Sequence, residues 1–135
     1  MFVVDTNILI YAADMDSPDH ARLRELIEKR RSQTTPWYVT WGIVYEFIRV
    51  VTHPRVLNRP FSASQAWLFL DALFASPSLR VLVETDRHRH VAGEVFADVP
   101  DISANLVFDA HTAILMRENG IKTIYTRDTD FNRFP

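Results

Sequence analysis

The sequence contains no cysteine and only three glycines among its 135 residues. Without cysteine the chain can form neither disulfides nor cysteine-ligated zinc sites, and such a composition is typical of a protein in a reducing compartment. No apolar run approaches the roughly 20 residues that a membrane-spanning helix needs. Acidic residues also interrupt the first 30 positions, where the apolar segment of a signal peptide would lie. We therefore expect a cytoplasmic protein without a membrane segment.

The sequence also lacks an excess of basic charge. Its formal net charge is −2 and its pI is near 6.2. Any binding to nucleic acid must therefore depend on a local basic patch rather than on the charge of the whole chain. Hydrophobic residues make up 47% of the sequence, which is enough to form one core, so we expect a single domain spanning residues 1–135.

The first seven residues contain the most informative pattern. Phe2, Val3 and Val4 form a short apolar run that is typical of a strand buried in a parallel sheet. Asp5 follows directly, and residues 6–13 are predicted to form a helix. An acid between a strand and a helix lies at the carboxyl end of the strand, where ligands bind in open α/β sheets. Asp5 could equally serve as the helix N-cap, and this stretch alone leaves both interpretations open.

Strands and helices are predicted to alternate along the whole chain, which indicates an α/β fold with a short parallel β-sheet flanked by helices. Further strands are predicted at 37–40, 80–83 and 121–126. Ser17 and Pro18 are predicted to cap and begin the second helix, which runs to about residue 31. Later helices are predicted at 41–52, from Ser62 with a capping box to Gln65, at 86–98, and from Asn105 to a stop at Asn119 and Gly120.

Three further positions supply acids that could join Asp5. Glu46 lies at the edge of the apolar stripe of helix 41–52, where a glutamate is usually just solvated. Asp109 lies on a helix that is apolar on nearly all sides, so we expect it to be buried and to need a cation or a group of donors. The last strand is followed by Asp128 and Asp130.

Acids that converge on one crevice repel each other unless a cation lies among them. Oxygen ligands without cysteine favour Mg²⁺ or Mn²⁺, and such a site can hydrolyse a phosphoester. His88 and His90 are predicted to be surface residues, with RNA contact as the less favoured alternative, and His111 is predicted to be structural. Arg49, Arg55 and Arg59 are candidates for phosphate contacts, although isolated surface arginines are equally common.

Four segments in this order resemble the motif series of PIN-domain nucleases. They are Val3-Val4-Asp5-Thr6-Asn7, Glu46 within its apolar helix, the run 105–111 (Asn-Leu-Val-Phe-Asp-Ala-His) and the run 126–131 (Thr-Arg-Asp-Thr-Asp-Phe). The loop 53–62 is in addition similar to the corresponding loop of VapC toxins from bacterial and archaeal toxin–antitoxin modules. The resemblance covers essentially the whole chain.

The resemblance implies an acidic metal site and an activity for it. The implied metal ligands are Asp5, Glu46, Asp109 and Asp128, with Asp130 as an accessory ligand or a turn residue. Thr6, Asn7 and Thr126 would orient those acids. The implied activity is metal-dependent endoribonucleolytic hydrolysis, with Mg²⁺ or Mn²⁺, that leaves 5′-phosphate and 3′-hydroxyl ends.

The resemblance also implies partners. The C-terminal segment of a cognate antitoxin would wrap the protein and fill its cleft, and the protein would form a homodimer. Related chains usually continue past the Asp-Phe motif into a last short strand, whereas this sequence stops at Pro135, so either that edge of the sheet differs or tail residues are absent from this sequence.

Two other functions compete with this hypothesis. Phosphatases that use an aspartate nucleophile also place it after the first strand, but they carry Asp-x-Asp there, and Asn7 occupies the second position in this sequence. A PIN-like domain that binds RNA or a protein without catalysis is the non-enzymatic alternative. The loss of an acid would indicate that case, and all four acids are present.

Overall fold

The computed structural model describes residues 1–127, 132 and 134. Within these residues the chain forms one four-stranded sheet in the order β3-β2-β1-β4, and all neighbouring strands are parallel. The strands are β1 (Val3–Val4), β2 (Trp37–Thr40), β3 (Leu79–Leu82) and β4 (Ile124–Tyr125). The predicted α/β class and the parallel sheet are confirmed.

Six helices of the described chain connect these strands. They are α1 (Thr6–Ala13), α2 (His20–Ser32), α3 (Trp41–Val51), α4 (Ala63–Phe74), α5 (His88–Asp98) and α6 (Leu106–Glu118). Helix α3 packs against α1, α4 and α6, so it lies at the centre of the helical layer. In the described part of the chain no helix is long and apolar enough to cross a membrane.

The two residues of β1 lie at the centre of the core. Val3 and Val4 are completely buried, and Val3 is in register with Tyr38 of β2 and Ile124 of β4. Helix α3 contributes its predicted apolar stripe, with Val44 and Phe47 completely buried. A strand buried on both faces needs apolar residues at consecutive positions, which is why the first strand has no polar alternation.

The order of the strands places a switch point between β1 and β4. The connections from β1 to β2 and from β2 to β3 move the chain in one direction, and the connection from β3 to β4 returns it past both strands. Adjacent strands whose connections leave in opposite directions open a crevice at their carboxyl ends. Asp5 follows β1 and Thr126 follows β4, so both residues lie at this crevice.

Two predicted helix ends have the expected hydrogen bonds. Ser62 and Gln65 form a capping box, in which each side chain accepts from the backbone N–H of the other residue. Helix α6 ends at Glu118, and Gly120 follows it with a φ of +70°, in the left-handed region that glycine adopts readily. The N–H groups of Gly120 and Ile121 donate to the carbonyls of Arg117 and Met116, which satisfies the last turn.

The predicted start of the second helix is wrong. Helix α2 begins at His20 rather than at Pro18. The hydroxyl of Ser17 accepts from the N–H of Asp19, and the carbonyl of Ser17 accepts from the N–H of His20. These bonds close a turn before the helix, so Asp19 becomes the residue that precedes it. Smaller differences occur at β3, which starts one residue earlier than predicted, and at β4, which is shorter.

The expectation that the last long helix is buried on nearly all sides is only half right. In α6 the side chains of Val107 and Phe108 are 42% and 62% exposed. Complete burial begins at Ala110, and further along the helix Ile114 packs against Val91 and Val95 of α5 in a small second core. The apolar composition of the segment did not reveal that Val107 and Phe108 in its first turn are exposed.

Candidate active site

Asp5 is buried at the end of β1 and has a relative exposure of 7%. Its Oδ1 accepts from the backbone N–H of Thr6 at 2.8 Å, and its Oδ2 accepts from Oγ1 of Thr126 at 2.7 Å. The carboxylate therefore caps α1, as one of the two interpretations held, and it also lies at the switch point between β1 and β4. Its functional role stays a prediction.

Asn7 and Thr126 extend this contact into a chain of hydrogen bonds. Asn7 Nδ2 donates to Thr126 Oγ1 at 3.2 Å, and the backbone N–H of Arg127 donates to Asn7 Oδ1 at 3.3 Å. The side chain of Arg127 also pairs with Asp19 and lies over the ring of Tyr11. The end of β4 is therefore held against α1, and the position of Thr126 beside Asp5 follows from that attachment.

Glu46 and Asp109 lie on α3 and α6, two helices that pack against each other. A Cβ built on Gly42 would be 3.4 Å from Nδ1 of His111, so the first half of α3 passes close to the first half of α6. Glu46 is one turn after Gly42 on the same face of α3, whereas Asp109 is two residues before His111 and lies on a different face of α6. Both carboxylates are half-buried. The prediction that Asp109 is buried is therefore wrong in degree, because the first turn of α6 is exposed.

The remaining predicted ligands, Asp128 and Asp130, lie outside the described residues. Among residues 1–127, 132 and 134, no group of three or more acidic or imidazole side chains is close enough to hold a metal ion. The donors that are described fit a hard cation, since they are carboxylate oxygens. Beside Asp5, the hydroxyl of Thr6 is buried and has no hydrogen-bond partner among the described residues. The four-acid site remains a prediction.

The three candidate arginines do not form one group. Arg59 forms a bidentate ion pair with Asp16, with distances of 3.2 Å from Nε to Oδ2 and 2.9 Å from Nη2 to Oδ1. The hydrogen bond and the charge of Asp16 raise the pKa of Arg59. Arg49 is exposed in the last turn of α3, one turn beyond Glu46, and Arg55 is exposed in the following loop. Arg49 is therefore the candidate that lies nearest to a predicted acid along the chain.

A second buried carboxylate, Glu118, was missed by the sequence analysis. It is 8% exposed and its side chain is completely covered. Its Oε1 accepts from the N–H of Thr85 at 2.9 Å and from the hydroxyl of Thr85 at 2.7 Å, and its Oε2 is 2.6 Å from Nδ1 of His88. Burial acts to raise the pKa of Glu118, but the hydrogen bonds from Thr85 and His88 outweigh it and hold that pKa below its ordinary value.

His88 is consequently not the solvated surface residue that the sequence predicted, because it fixes Glu118. His90 agrees better with that prediction, since it is exposed and pairs with Glu94 at 3.0 Å. The ring of His111 meets that of His88 edge-on, with centroids 6.0 Å apart, and Nε2 of His111 is 3.7 Å from Oε1 of Glu84. The sequence signal for this cluster was a glutamate in the last turn of a largely apolar helix.

The chain is similar in sequence to proteins of one family over nearly its whole length. The PIN domain family matches residues 2–135. Ribonuclease VapC43 of Mycobacterium tuberculosis is 37% identical over 134 residues, which are 99% of this chain and 90% of that protein. Ribonuclease VapC48 of the same organism is 33% identical over 130 residues, which are 96% of this chain and 89% of that protein.

Solved structures show the same fold at lower identity. The structure of Mycobacterium tuberculosis VapC20, described as a toxin that cleaves the sarcin-ricin loop, has a TM-score of 0.69 and 20% identity, and the match covers 98% of this chain and 93% of that one. The structure of VapBC2 of Rickettsia felis, bound to a DNA fragment from their promoter, has a TM-score of 0.67 and 18% identity. The match covers 99% of this chain and 92% of that one. At these identities the likeness concerns the fold.

Proposed function

The chain belongs to the PIN domain family, and from that premise we propose that it is a metal-dependent endoribonuclease, the toxin of a VapC-type toxin–antitoxin pair. The observation that carries the proposal is the buried carboxylate of Asp5 at the switch point of a parallel sheet. Donors from Thr6 and Thr126 hold both of its oxygens in place. The relatives that are named ribonucleases support the same activity.

Four acids are proposed to hold the metal ion. They are Asp5, Glu46, Asp109 and Asp128, with Asp130 as a further candidate. When bound, Mg²⁺ or Mn²⁺ stabilises negative charge on a phosphate and lowers the pKa of a coordinated water. The protein contributes the orientation of Asp5: Thr126 donates to Oδ2 of Asp5, Asn7 donates to Thr126, and the backbone N–H of Thr6 donates to Oδ1 of Asp5.

The proposed substrate is the RNA backbone. The chain carries a net charge of −2, so its contacts with phosphate must come from a local group of basic residues. Arg49 and Arg55 are exposed and are proposed as phosphate contacts. Arg59 is retained as a third candidate, and its ion pair with Asp16 would have to be exchanged for a phosphate when RNA binds.

The proposed partners are an antitoxin and a second copy of the chain. A cluster of acids attracts a cationic side chain as readily as a metal ion, so an antitoxin can inhibit by inserting an arginine or lysine among them. Co-expression with the protein encoded in the neighbouring reading frame tests this proposal. A stable complex that no longer cleaves RNA supports the antitoxin. A chain that purifies alone, cleaves RNA and leaves cell growth unchanged on induction removes the toxin assignment but keeps the nuclease.

The activity itself is tested with purified protein and end-labelled RNA. We expect cleavage in Mg²⁺ or Mn²⁺, none in excess chelator, and 5′-phosphate ends on the products. Full cleavage in chelator would contradict a metal-dependent hydrolase. Binding of RNA without cleavage under every metal condition would favour the non-catalytic PIN-like domain, and release of phosphate from small phosphomonoesters without RNA cleavage would favour the phosphatase.

A further inference from the structure

Two exposed aromatic side chains and an arginine form a row along α3. Trp41, Tyr45 and Arg49 follow one another at intervals of four residues, which places them on neighbouring positions of one helix face. Trp41 is 44% exposed, Tyr45 is 65% exposed, and Arg49 is exposed as well. We call these three residues the α3 stripe. Large aromatic surfaces left open to solvent indicate a binding surface when they lie together.

The rings of the α3 stripe contact each other and a phenylalanine of α4. The ring centroids of Trp41 and Tyr45 are 6.4 Å apart, and the ring planes are inclined by 39°. On its other side Trp41 contacts Phe74 of α4, with centroids 6.0 Å apart. Phe74 is half-buried and packs against the main core. The outer faces of Trp41 and Tyr45 therefore form a supported aromatic surface rather than part of the core.

The stripe lies beside the proposed active site. Trp41 directly follows the last residue of β2, so it lies at the same carboxyl edge of the sheet as Asp5. Tyr45 immediately precedes Glu46, and consecutive helical residues differ by about 100° around the axis. With a helix diameter of about 10–12 Å including side chains, the outer ends of the two side chains lie on the order of 10 Å apart. One or two nucleotides can span this distance.

The charge of the stripe favours RNA over an apolar protein surface as its ligand. Arg49 ends the stripe, and among the described residues it forms no ion pair. An apolar partner would cover this guanidinium without a counter-charge, which is unfavourable. A nucleotide offers both an aromatic base for the rings and a phosphate for the arginine.

We propose that the α3 stripe binds an unpaired nucleotide next to the bond that is cleaved. The base stacks on Trp41 and Tyr45, and its phosphate contacts Arg49. This proposal rests on the proposed nuclease function and adds to it a base-binding position. The stripe then favours RNA in which a base near the cleavage point is unpaired, because a base inside a duplex cannot present its face to a ring.

The test compares two probes that carry the same charge. Fluorescein-labelled oligouridine and an abasic oligoribonucleotide of equal length are titrated with the full chain in chelator, and binding is followed by anisotropy. We expect the wild-type protein to prefer oligouridine about 5-fold to 100-fold, the range that one stacked base supplies. Trp41→Ala should remove most of this preference, Trp41→Phe should keep most of it, and Arg49→Ala should weaken both probes equally.

Phe96→Ala is the matched control, since Phe96 is 46% exposed and lies on α5 rather than on α3. It should keep the full preference. The proposal is overturned if Trp41→Ala retains the preference for oligouridine, or if Phe96→Ala loses that preference equally. It is also overturned if sedimentation shows a dimer in the wild type and a monomer in Trp41→Ala with no change in RNA binding. The last result assigns the stripe to a contact between two copies. Absence of RNA cleavage by the wild-type protein in Mg²⁺ and Mn²⁺ would instead reject the nuclease.

Discussion

Asp5 and Glu118 are buried to nearly the same extent, with relative exposures of 7% and 8%, yet their surroundings differ. Asp5 lies between a strand and a helix at the carboxyl edge of the sheet. Its hydrogen-bond donors come from segments that meet at the switch point between β1 and β4. Glu118 lies in the last turn of α6, and its donors come from the loop that precedes α5 and from the first residue of α5. Burial of a carboxylate therefore does not by itself identify a catalytic acid.

The two groups of donors have different consequences. The three contacts from Thr85 and His88 join α6 to the start of α5, next to the small second core, and they hold the pKa of Glu118 low. We interpret Glu118 as a structural carboxylate. The contacts to Asp5 hold its carboxylate at the β1–β4 crevice, the position where ligands generally bind in open α/β sheets. The comparison predicts that a substitution of Asp5 affects catalysis and that a substitution of Glu118 affects the stability of the fold.

The largest expected effect is the loss of cleavage in Asp5→Asn. The amide keeps the shape of the carboxylate and can still accept from the N–H of Thr6, but it removes a negative charge from the proposed metal site. Such electrostatic stabilisation amounts to several kcal/mol, so cleavage should fall about a thousandfold or more while the melting temperature changes little. RNA cleavage and calorimetry measure the two quantities, with the exposed Asp71→Asn as control. Normal cleavage by Asp5→Asn would remove Asp5 from the site.

Glu118→Gln is expected to have a smaller effect, on stability rather than on cleavage. The side chain keeps an acceptor for Thr85 but loses the charge that strengthens these hydrogen bonds, so the free energy of unfolding should fall by about 1–3 kcal/mol. Cleavage by the folded fraction should be nearly unchanged. Glu94→Gln is the matched control, because Glu94 also pairs with a histidine but is 50% exposed, and it should change stability by less than about 0.5 kcal/mol. Equal losses in both variants would show that the burial of Glu118 contributes nothing.

The smallest expected effect is a change with pH in the stability difference between the wild type and Glu118→Gln. Because the pKa of Glu118 is lower in the folded protein, its contribution to stability is complete above the unfolded value of about 4.3 and is lost as the pH falls through the folded value. The gap in unfolding free energy between wild type and Glu118→Gln should therefore be largest near neutral pH and narrow below pH 4. Urea unfolding at several pH values measures it, and a gap that stays constant into acid would contradict the structural interpretation.

Local patterns in the sequence were sufficient for much of the fold. The capping box at Ser62 and the stop at Gly120 depend on residues within a few positions of each other, and both have the predicted hydrogen bonds. The apolar stripe of α3 and the acid after β1 were also readable, because their spacing reflects a helix period and a strand end. The proposed catalytic role of Asp5, Glu46 and Asp109 remains a prediction.

The remaining features depend on contacts between distant segments. His88 was assigned to the surface because its basic neighbours suggest a solvated turn, and its partner Glu118 is 30 residues away. The first turn of α6 was expected to be buried because its composition is apolar, but composition does not specify the neighbours that would cover it. At Ser17 a short-range turn competed with a helix start, and both use the same residue types.

The contact between Asp5 and Thr126 also has a consequence for the order of folding. The two residues are 121 positions apart, and the pairing of Val3 with Ile124 joins the same distant segments. The β1–β4 crevice cannot form on the ribosome until residues near 126 have been synthesised and have reached β1, which makes its assembly a late, high-contact-order event. We therefore expect that a nascent chain cannot cleave RNA at the proposed site before Thr126 has been synthesised and has paired with Asp5.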